Sequence, residues 1–376
     1  MNIFRRRDNL YRRILERLLL PSGVRINGDR PWDIRVKNES FYKRVLRDGI
    51  LGLGESYLDG WWTCDQLDEM SAKLLKSGLQ NAYEKKSCRI FGFLRSKIFP
   101  LGRLRRAFEV GRRHYDLGND LFKNMLDKRM IYSCACWEGA RTLEEAQENK
   151  LDLICRKAGL QPGMRTLDIG CGWGGFAKFA AERYGAHVVG ITVSQEQAGL
   201  AQENCAGLPV EIRLQDYRDV NEKFDRIVSV GMFEHVGHPY YRTYMETVNR
   251  NLEEEGLFLL QTIGSNRSAE KSNPFLSKYI FPNTMIPSIR QIGEAMEGLF
   301  VMEDWHNFGT DYEKTLLAWH ENFKRHWPGL EARYGERFYR MWTFYLLGGA
   351  GFFRARELQV WQIVLSKKGV IGQPEI

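Results

Sequence analysis

The sequence predicts an α/β fold: a seven-stranded, doubly wound sheet preceded by a smaller, mainly helical N-terminal domain. Three observations predict it. Met164–Gly175 reads Met-Arg-Thr-Leu-Asp-Ile-Gly-Cys-Gly-Trp-Gly-Gly: a short apolar run holding one acid, then a run of glycines. From there to Lys367, strand-like runs alternate with helical spacings. The last strand-like run follows a long aromatic helical stretch, as a reversed final hairpin requires.

Asn2–Leu20 has helical spacing. Ile3/Phe4, Leu10/Tyr11, Ile14/Leu15 and Leu18/Leu19 recur, while Arg5, Arg6, Arg7, Arg12, Arg13 and Arg17 fill the other faces. Such a helix lies on an anionic lipid surface, or docks on its own domain or on a partner subunit. Val24–Ile26 and Trp32–Val36 flank Asn27-Gly28-Asp29 and predict a hairpin. Phe41–Asp48 and Asp65–Lys76 predict helices, separated by the turn-rich aromatic stretch Gly54–Trp62. Residues 1–88 form an N-terminal domain with no catalytic constellation. A basic linker follows at 89–113. From Lys85 to Arg113 the single acid Glu109 faces many arginines and lysines, interleaved with Phe91, Phe93, Leu94, Ile98, Phe99, Leu101, Leu104 and Phe108. Phosphates attract the first class, and acyl chains or a groove accept the second. Each basic residue near an anionic membrane is worth about 1 kcal/mol, and nucleic acid satisfies the same charges.

The second domain spans 114–376. It opens with His114-Tyr-Asp-Leu-Gly-Asn-Asp-Leu-Phe122 and Tyr132-Ser-Cys-Ala-Cys-Trp137. Thr142-x-x-Glu145 is a capping box that starts a helix running to Ala158. The strands are read as Arg165–Ile169, His187–Val193, Val210–Gln215, Phe224–Val230, Gly256–Ile263, Leu299–Trp305 and Leu358–Lys367. Gly264–Pro287 is long and poor in regular pattern, and reads as a lid or insertion. Helices are expected over Tyr312–Trp327 and Glu336–Glu357.

The totals bound the function. A chain of 376 residues holds one large or two ordinary domains. Net charge of +8 suggests an anionic partner, namely nucleic acid, a membrane surface or acidic small molecules. No apolar run approaches the roughly 20 residues that span a bilayer, and the short apolar part of the N-terminus carries no cleavage pattern of a signal peptide. The seven cysteines form no CxxC pair, and Cys134-x-Cys136 finds no second pair or histidine pair to complete a zinc site, so no metal is expected. A reduced, cytosolic compartment fits this usage.

Candidate ligand-binding residues share one end of the sheet, the carboxyl ends of the strands. Gly170-x-Gly172-x-Gly174 follows the first strand with Asp168 just ahead of it. The spacing is not the dinucleotide G-x-G-x-x-G, and no Gly-Lys-Ser/Thr follows to make a P-loop. Thr192, Ser194 and Gln197 follow the second strand, where Ser194-x-x-Gln197 is also a capping box. Gln215, Asp216 and Tyr217 follow the third; Asp216 is placed to accept from an adenine amino group with Tyr217 on the ring. Glu234 follows the fourth, in Gly231-Met-Phe-Glu-His-Val-Gly237 at a helix entrance that favours an acid. His235 and His238 lie near it and read as surface or supporting residues. The Asn/Asp-Pro-Pro-Tyr/Phe signature of amino-methylating DNA enzymes is absent there, which argues against nucleic acid as partner.

An acid ahead of Gly-x-Gly-x-Gly resembles motif I of S-adenosylmethionine (SAM) methyltransferases. Leu167–Gly175, Tyr132-Ser-Cys-Ala-x-Trp137, His114–Asp120, Gly231–Gly237 and Glu303-Asp-Trp-His-Asn-Phe-Gly309 together resemble cyclopropane-fatty-acyl-phospholipid synthases. Phe353-Arg-Ala-Arg356 and Gly54–Trp62 extend the resemblance across nearly the whole chain. It implies a Rossmann-like class I SAM methyltransferase sheet and methyl transfer to the cis double bond of a phospholipid acyl chain, closed to a methylene bridge with bicarbonate as base. It also implies cofactor contacts at Tyr132, Ser133, Gly170, Cys171, Gly172, Gly174, Thr192, Gln197, Gln215, Asp216 and Tyr217, with Asp168 close by. Cys134, Glu234, Gln261, Ile263 and Tyr312 then form the bicarbonate pocket, some through backbone. The partner implied is an unsaturated phospholipid in an anionic membrane, met by a homodimer at the cytoplasmic face of the inner membrane. Two positions depart from the family pattern: Gln261 stands where a histidine is usual, and Gly349 where a cysteine is common. Methylation without ring closure, on an acyl chain or a small amine, and lipid binding without chemistry are the rival readings.

Overall fold

The computed structural model describes residues 2–79, 118–269, 272–282 and 284–370. The basic linker at 89–113, the end of the N-terminal domain and most of the His114–Asp120 motif lie outside the described residues. The chain gathers into two compact units.

The first unit takes in the described parts of Met1–Leu104, with Asn273–Ile280 and Lys324–Glu357. It begins with helix α1 (Asn2–Leu19) and a 3-10 turn at Leu20–Ser22. Strand β1 (Arg35–Val36), helix α2 (Ser40–Leu58), strand β2 (Trp62–Thr63) and helix α3 (Leu67–Lys76) follow. The expected hairpin at Asn27–Asp29 does not form a ladder. Asp33 is buried and its carboxylate accepts the N–H groups of Arg25 (2.8 Å) and Arg30 (3.1 Å), so a side chain closes the turn. Ile26 and Ile34 make one isolated parallel bridge, and β1 pairs antiparallel with β2 instead. Helix α2 outruns the expected Phe41–Asp48. It breaks at Gly49 (φ 58°, ψ −131°) and resumes through Leu58, so most of the aromatic stretch after Gly54 is helical. Its core is aromatic: Phe41, Tyr42 and Trp62 are fully buried, and Tyr57 lies 5.0 Å from Trp62.

The second unit holds the described parts of Arg105–Ser272, Phe281–Phe323 and Leu358–Ile376. Its sheet has the order β5-β4-β3-β6-β7-β9-β8. The strands are β3 (Arg165–Ile169), β4 (His187–Thr192), β5 (Val210–Leu214), β6 (Phe224–Val230), β7 (Leu252–Ser265), β8 (Val301–Asn307) and β9 (Leu358–Ser366). Strands β3 to β7 are parallel, and β9 inserts antiparallel between β7 and β8. This is the expected seven-stranded sheet with a reversed last hairpin. The helices are α4 (Asn119–Met125), α5 (Leu143–Lys157), α6 (Gly175–Tyr184), α7 (Gln195–Asn204), α8 (Tyr241–Asn251), α9 (Pro274–Tyr279, in the first unit), α10 (Ile289–Met296) and α11 (Thr310–Arg354). Helix α9 gives the expected lid segment a short regular element, capped by the Asn273 side chain. Helix α11 breaks at Gly335 (φ 74°, ψ 161°), between the two helices expected there. The Thr142–Glu145 capping box of α5 is present in both directions.

Strand alternation sorts the core. Leu167, Ile169, Phe258 and Leu260 face one apolar layer with Tyr244 and Val248 of α8 and Ile292 of α10. Leu257 and Leu259 face the other, with Leu151 and Ile154 of α5 and Phe176 and Ala180 of α6. By the same alternation Asp168 of β3 and Gln261 of β7 share the face that α5 covers.

Candidate functional site

The sheet order reverses at β3 and β6: β4 and β5 extend it on one side, β7, β9 and β8 on the other. Parallel strands diverging at such a point leave a crevice beyond their carboxyl ends. The glycine loop enters it after β3. Gly170, Gly172 and Gly174 all have positive φ (84°, 55° and 83°), where a side chain is disfavoured. A Cβ on Gly170 would come within 2.8 Å of Met232, whereas one on Gly172 would meet nothing within 4 Å. Backbone thus faces open space at Gly172, as close approach of a ligand requires. The N–H groups of Gly170 and Cys171 both donate to the Ile191 carbonyl at 3.0 Å, which ties the loop to β4. Cys171 is buried, and burial pushes its thiol well up, so it stays neutral.

After β4, Ser194 Oγ accepts from the Gln197 N–H at 3.3 Å, but the reciprocal half of the expected capping box is missing. Gln197 Oε1 instead takes the Thr192 hydroxyl (2.9 Å), and Ser194 N–H turns to Thr192 Oγ1 (3.2 Å). Gln215 N–H donates to the Thr192 carbonyl (3.0 Å), so the loops after β4 and β5 are joined. Asp216 accepts from Arg218 N–H (3.0 Å), Nε (2.8 Å) and Nη2 (2.5 Å). Burial raises its pKa, but these bonds outweigh it and the net shift is downward. Three of about four lone-pair sites are therefore filled, leaving room for one further donor. Tyr217 packs edge-on against Tyr244 at 5.0 Å.

A second group gathers at the ends of β6 and β7. Glu234 lies in a short 3-10 turn, Phe233–His235, and is only 4% exposed. Its Oε1 accepts the Ile263 N–H at 2.6 Å, and its Oε2 is buried with no partner. Burial lifts its pKa to about 7 against the pull of the Ile263 N–H. Gln261 Nε2 donates to the Cys134 carbonyl (3.3 Å), and Gln261 Oε1 accepts from Gln362 Nε2 (3.1 Å). Cys134 is buried, and its thiol is pushed well up by burial. Direct bonds therefore join Cys134 with Gln261, and Ile263 with Glu234. Tyr312 sits edge-on to Trp319 at 5.8 Å, and Trp319 lies 5.0 Å from Tyr132. Tyr132 also meets Phe122 (5.3 Å) and Phe281 (6.4 Å), and Phe281 lies 5.8 Å from the His235 ring. Burial lowers the His235 pKa to about 4, so the ring is neutral, and its Nδ1 lies 3.3 Å from the Thr284 hydroxyl.

Sequence reasoning missed the residues that hold this group in place. Thr315 Oγ1 accepts from Ala135 N–H (3.2 Å) and Trp137 Nε1 (2.9 Å), and Asp311 accepts from Trp137 N–H (2.8 Å). Helix α11 thus fixes the stretch just after Cys134. From α5, Gln147 Nε2 donates to the Ser133 carbonyl (3.0 Å) and Lys150 Nζ to Ser133 Oγ (3.1 Å). The available signal was a glutamine and a lysine, three residues apart, on the apolar face of a helix.

The family model described as mycolic acid cyclopropane synthetase matches residues 102–363. The cyclopropane-fatty-acyl-phospholipid synthase of Escherichia coli (strain K12) is 56% identical over 363 residues, covering 96% of this chain and 94% of that one. The cyclopropane mycolic acid synthase MmaA2 of Mycobacterium tuberculosis is 36% identical over 280 residues, 69% of this chain and 97% of that one. Among solved structures, the mycolic acid cyclopropane synthase CmaA1 complexed with SAH and CTAB aligns with a TM-score of 0.65 at 35% identity, covering 69% of this chain and 98% of that one.

Proposed function

The chain belongs to the mycolic acid cyclopropane synthetase family, a SAM-dependent methyltransferase that forms cyclopropane rings on lipid acyl chains, and we propose how this chain's residues perform that reaction. We infer that the substrate is the cis double bond of an unsaturated phospholipid in an anionic membrane and that the general base is bicarbonate.

SAM supplies an electrophilic methyl group on a sulfonium. The residues suited to hold it are the Gly170–Gly174 loop, with open space at Gly172, and Asp168, whose Oδ2 is buried without a partner. Tyr132 and Ser133, Thr192 and Gln197, and Gln215, Asp216 and Tyr217 complete the set. An alkene is a weak nucleophile, so alignment in a water-poor site supplies much of the rate. Electron-rich ring faces stabilise a cation such as the one left on the acyl chain, and Tyr312 with its edge-on neighbour Trp319 would supply them.

Ring closure needs a proton removed from the transferred methyl, which is the chemistry bicarbonate supplies. The observation that carries this assignment is Glu234: a buried carboxyl with one oxygen on the Ile263 N–H and the other unpartnered. With a pKa of about 7, it both accepts and donates a hydrogen bond near neutrality, which suits an anion carrying its own proton. Cys134, Gln261, Ile263 and Tyr312 complete the pocket. Gln261 carries no charge, and its amide is committed on both sides, so it shapes the pocket and does not titrate.

Docking on the cytoplasmic face of the inner membrane falls to the N-terminal domain. No helix among the described residues is long and apolar enough to cross a membrane. On α1, Leu10 (54% exposed) and Ile14 (40%) alternate with the exposed Arg13 and Arg17, and Leu20 (73%) lies just beyond. This is an apolar face edged with cations, facing anionic lipid. The division into a domain at 1–88, a linker at 89–113 and a catalytic domain at 114–376 with a lid near 264–287 belongs to the same proposal, as does a homodimer. The test is product analysis: protein, SAM and vesicles of unsaturated phospholipid. Loss of the alkene with gain of one methylene is expected; a retained double bond or a methylated amine would refute ring closure.

A further inference from the structure

Lys150 is a cation in an unusual place. It lies on the sheet-facing side of α5, is 1% exposed, and neither the sequence motifs nor the proposed chemistry accounts for it. Its ammonium donates to Ser133 Oγ at 3.1 Å. The charged or titratable groups around it come from three other elements. Asp127 follows α4, and its oxygens accept the N–H groups of Ile131 and Arg129 at 2.9 Å each. Cys134 stands in the loop after Tyr132, and Asp168 on β3 just ahead of the glycine loop; all three groups act on Lys150 electrostatically. Asp168 lies on the sheet face that α5 covers, and its Oδ2 is buried without a partner. Ser133 stands over the end of β6, where a Cβ on Gly231 would be 3.6 Å from its own. The lysine therefore reaches from α5 toward the β3–β6 crevice, and Gln147, one turn earlier on the same face, clamps the Ser133 carbonyl.

A serine hydroxyl has one proton to give and two lone pairs. With an ammonium, a donor only, occupying a lone pair, the O–H of Ser133 is kept as a donor and is strengthened by the adjacent charge. A donor of that kind at the mouth of a SAM site suits an anion, and the anion of SAM is the carboxylate of its amino-acid end.

We propose that Lys150 is a positioning residue for the cofactor: through its bond to Ser133 Oγ it fixes that hydroxyl as a donor to the SAM carboxylate. This rests on the SAM reading above. Burial lowers the lysine's pKa to about 8, against the pull of Asp127, Cys134 and Asp168, so the arrangement weakens in mild alkali. A neutral amine accepts from Ser133 as readily as it donates, and the hydroxyl is then free to turn inward.

The test uses two thioadenosines that lack the α-amino group of the amino-acid end, so that only the carboxylate differs: 5′-S-(3-carboxypropyl)- and 5′-S-propyl-5′-thioadenosine. Affinities are measured by calorimetry on the full chain. The native protein should prefer the carboxylate. Lys150→Met and Ser133→Ala should each cut that preference about 10-fold or more, the range for a hydrogen bond to a charged group. Affinity for the propyl compound should hold, and the double variant should lose no more than the single ones. The native preference should also fall as pH rises from 7 to 9.5, a readout that survives a variant that fails to fold. An undiminished preference in Ser133→Ala, a flat pH profile of the native protein, or equal loss for both compounds would overturn the proposal. Failure of the native chain to bind S-adenosylhomocysteine at all would instead strike the SAM reading.

Discussion

Replacing Glu234 by Gln separates catalysis from architecture at the buried carboxyl. The amide keeps an oxygen for the Ile263 N–H and nearly the same volume, but it can neither ionise nor exchange a proton. Turnover should fall about 10²–10⁴-fold, the worth of a positioned acid–base group, while affinity for SAM stays within about twofold. Stability should move the other way. Glu234 has a pKa of about 7 in the fold against an ordinary 4.5. The folded protein thus binds that proton more tightly than the unfolded chain, and stability drains away as pH rises from 4.5 to 7. At 1.36 kcal/mol per unit, the burden on the native protein at pH 8 is about 3 kcal/mol. Urea unfolding should therefore find Glu234→Gln more stable than the native chain at pH 8, and much less distinct from it near pH 5. An unchanged kcat, a parallel loss of SAM affinity, or a variant equally or less stable at pH 8 would refute this account of the residue.

Gly172→Val puts a side chain into the open space beside the loop at φ 55°. Calorimetry should show SAM binding reduced at least 10-fold, for a stability cost of about 1–3 kcal/mol from the strained backbone. Thr315→Val strips an acceptor from both Ala135 N–H and Trp137 Nε1. Denaturation should show a loss of about 2–4 kcal/mol, and the loosened Cys134 loop should lower kcat. Gln261→Ala leaves the Cys134 carbonyl and the Gln362 amide without their partner. A cost of about 1–3 kcal/mol and a higher bicarbonate requirement in steady-state kinetics are expected.

Most of the sheet was legible in the sequence because its signals are local. The β3 and β6 boundaries match the apolar runs residue for residue, and the Thr142–Glu145 box caps α5 as its spacing implies. The N-terminal unit was harder. At Asn27–Asp29 the turn residues were right, but the buried Asp33 carboxylate satisfies the backbone that a hairpin ladder would have used. The extension of α2 past Gly49 carries no local signal, because a glycine-rich aromatic run looks like turns until packing on Trp62 rewards a helix. Ser194-x-x-Gln197 shows how two local motifs compete: Thr192 captures the Gln197 side chain that a capping box needs. At the candidate site, the bonds between Gln261 and Cys134 and between Ile263 and Glu234 join residues far apart in the chain. The supports, Lys150, Thr315 and Gln362, carry no motif. Each is a polar residue on a face that periodicity marks as apolar, and only the partner across the fold explains it.

The proposed hold of Glu234 and its neighbours on bicarbonate, as the base that closes the ring, is tested by the lipid product spectrum of the purified chain acting on unsaturated phospholipid vesicles with SAM, in bicarbonate-depleted and bicarbonate-restored buffer. Cyclopropane product should fall steeply on depletion and return on restoration. Full cyclopropanation without bicarbonate, or no cyclopropane at any bicarbonate concentration, would contradict it.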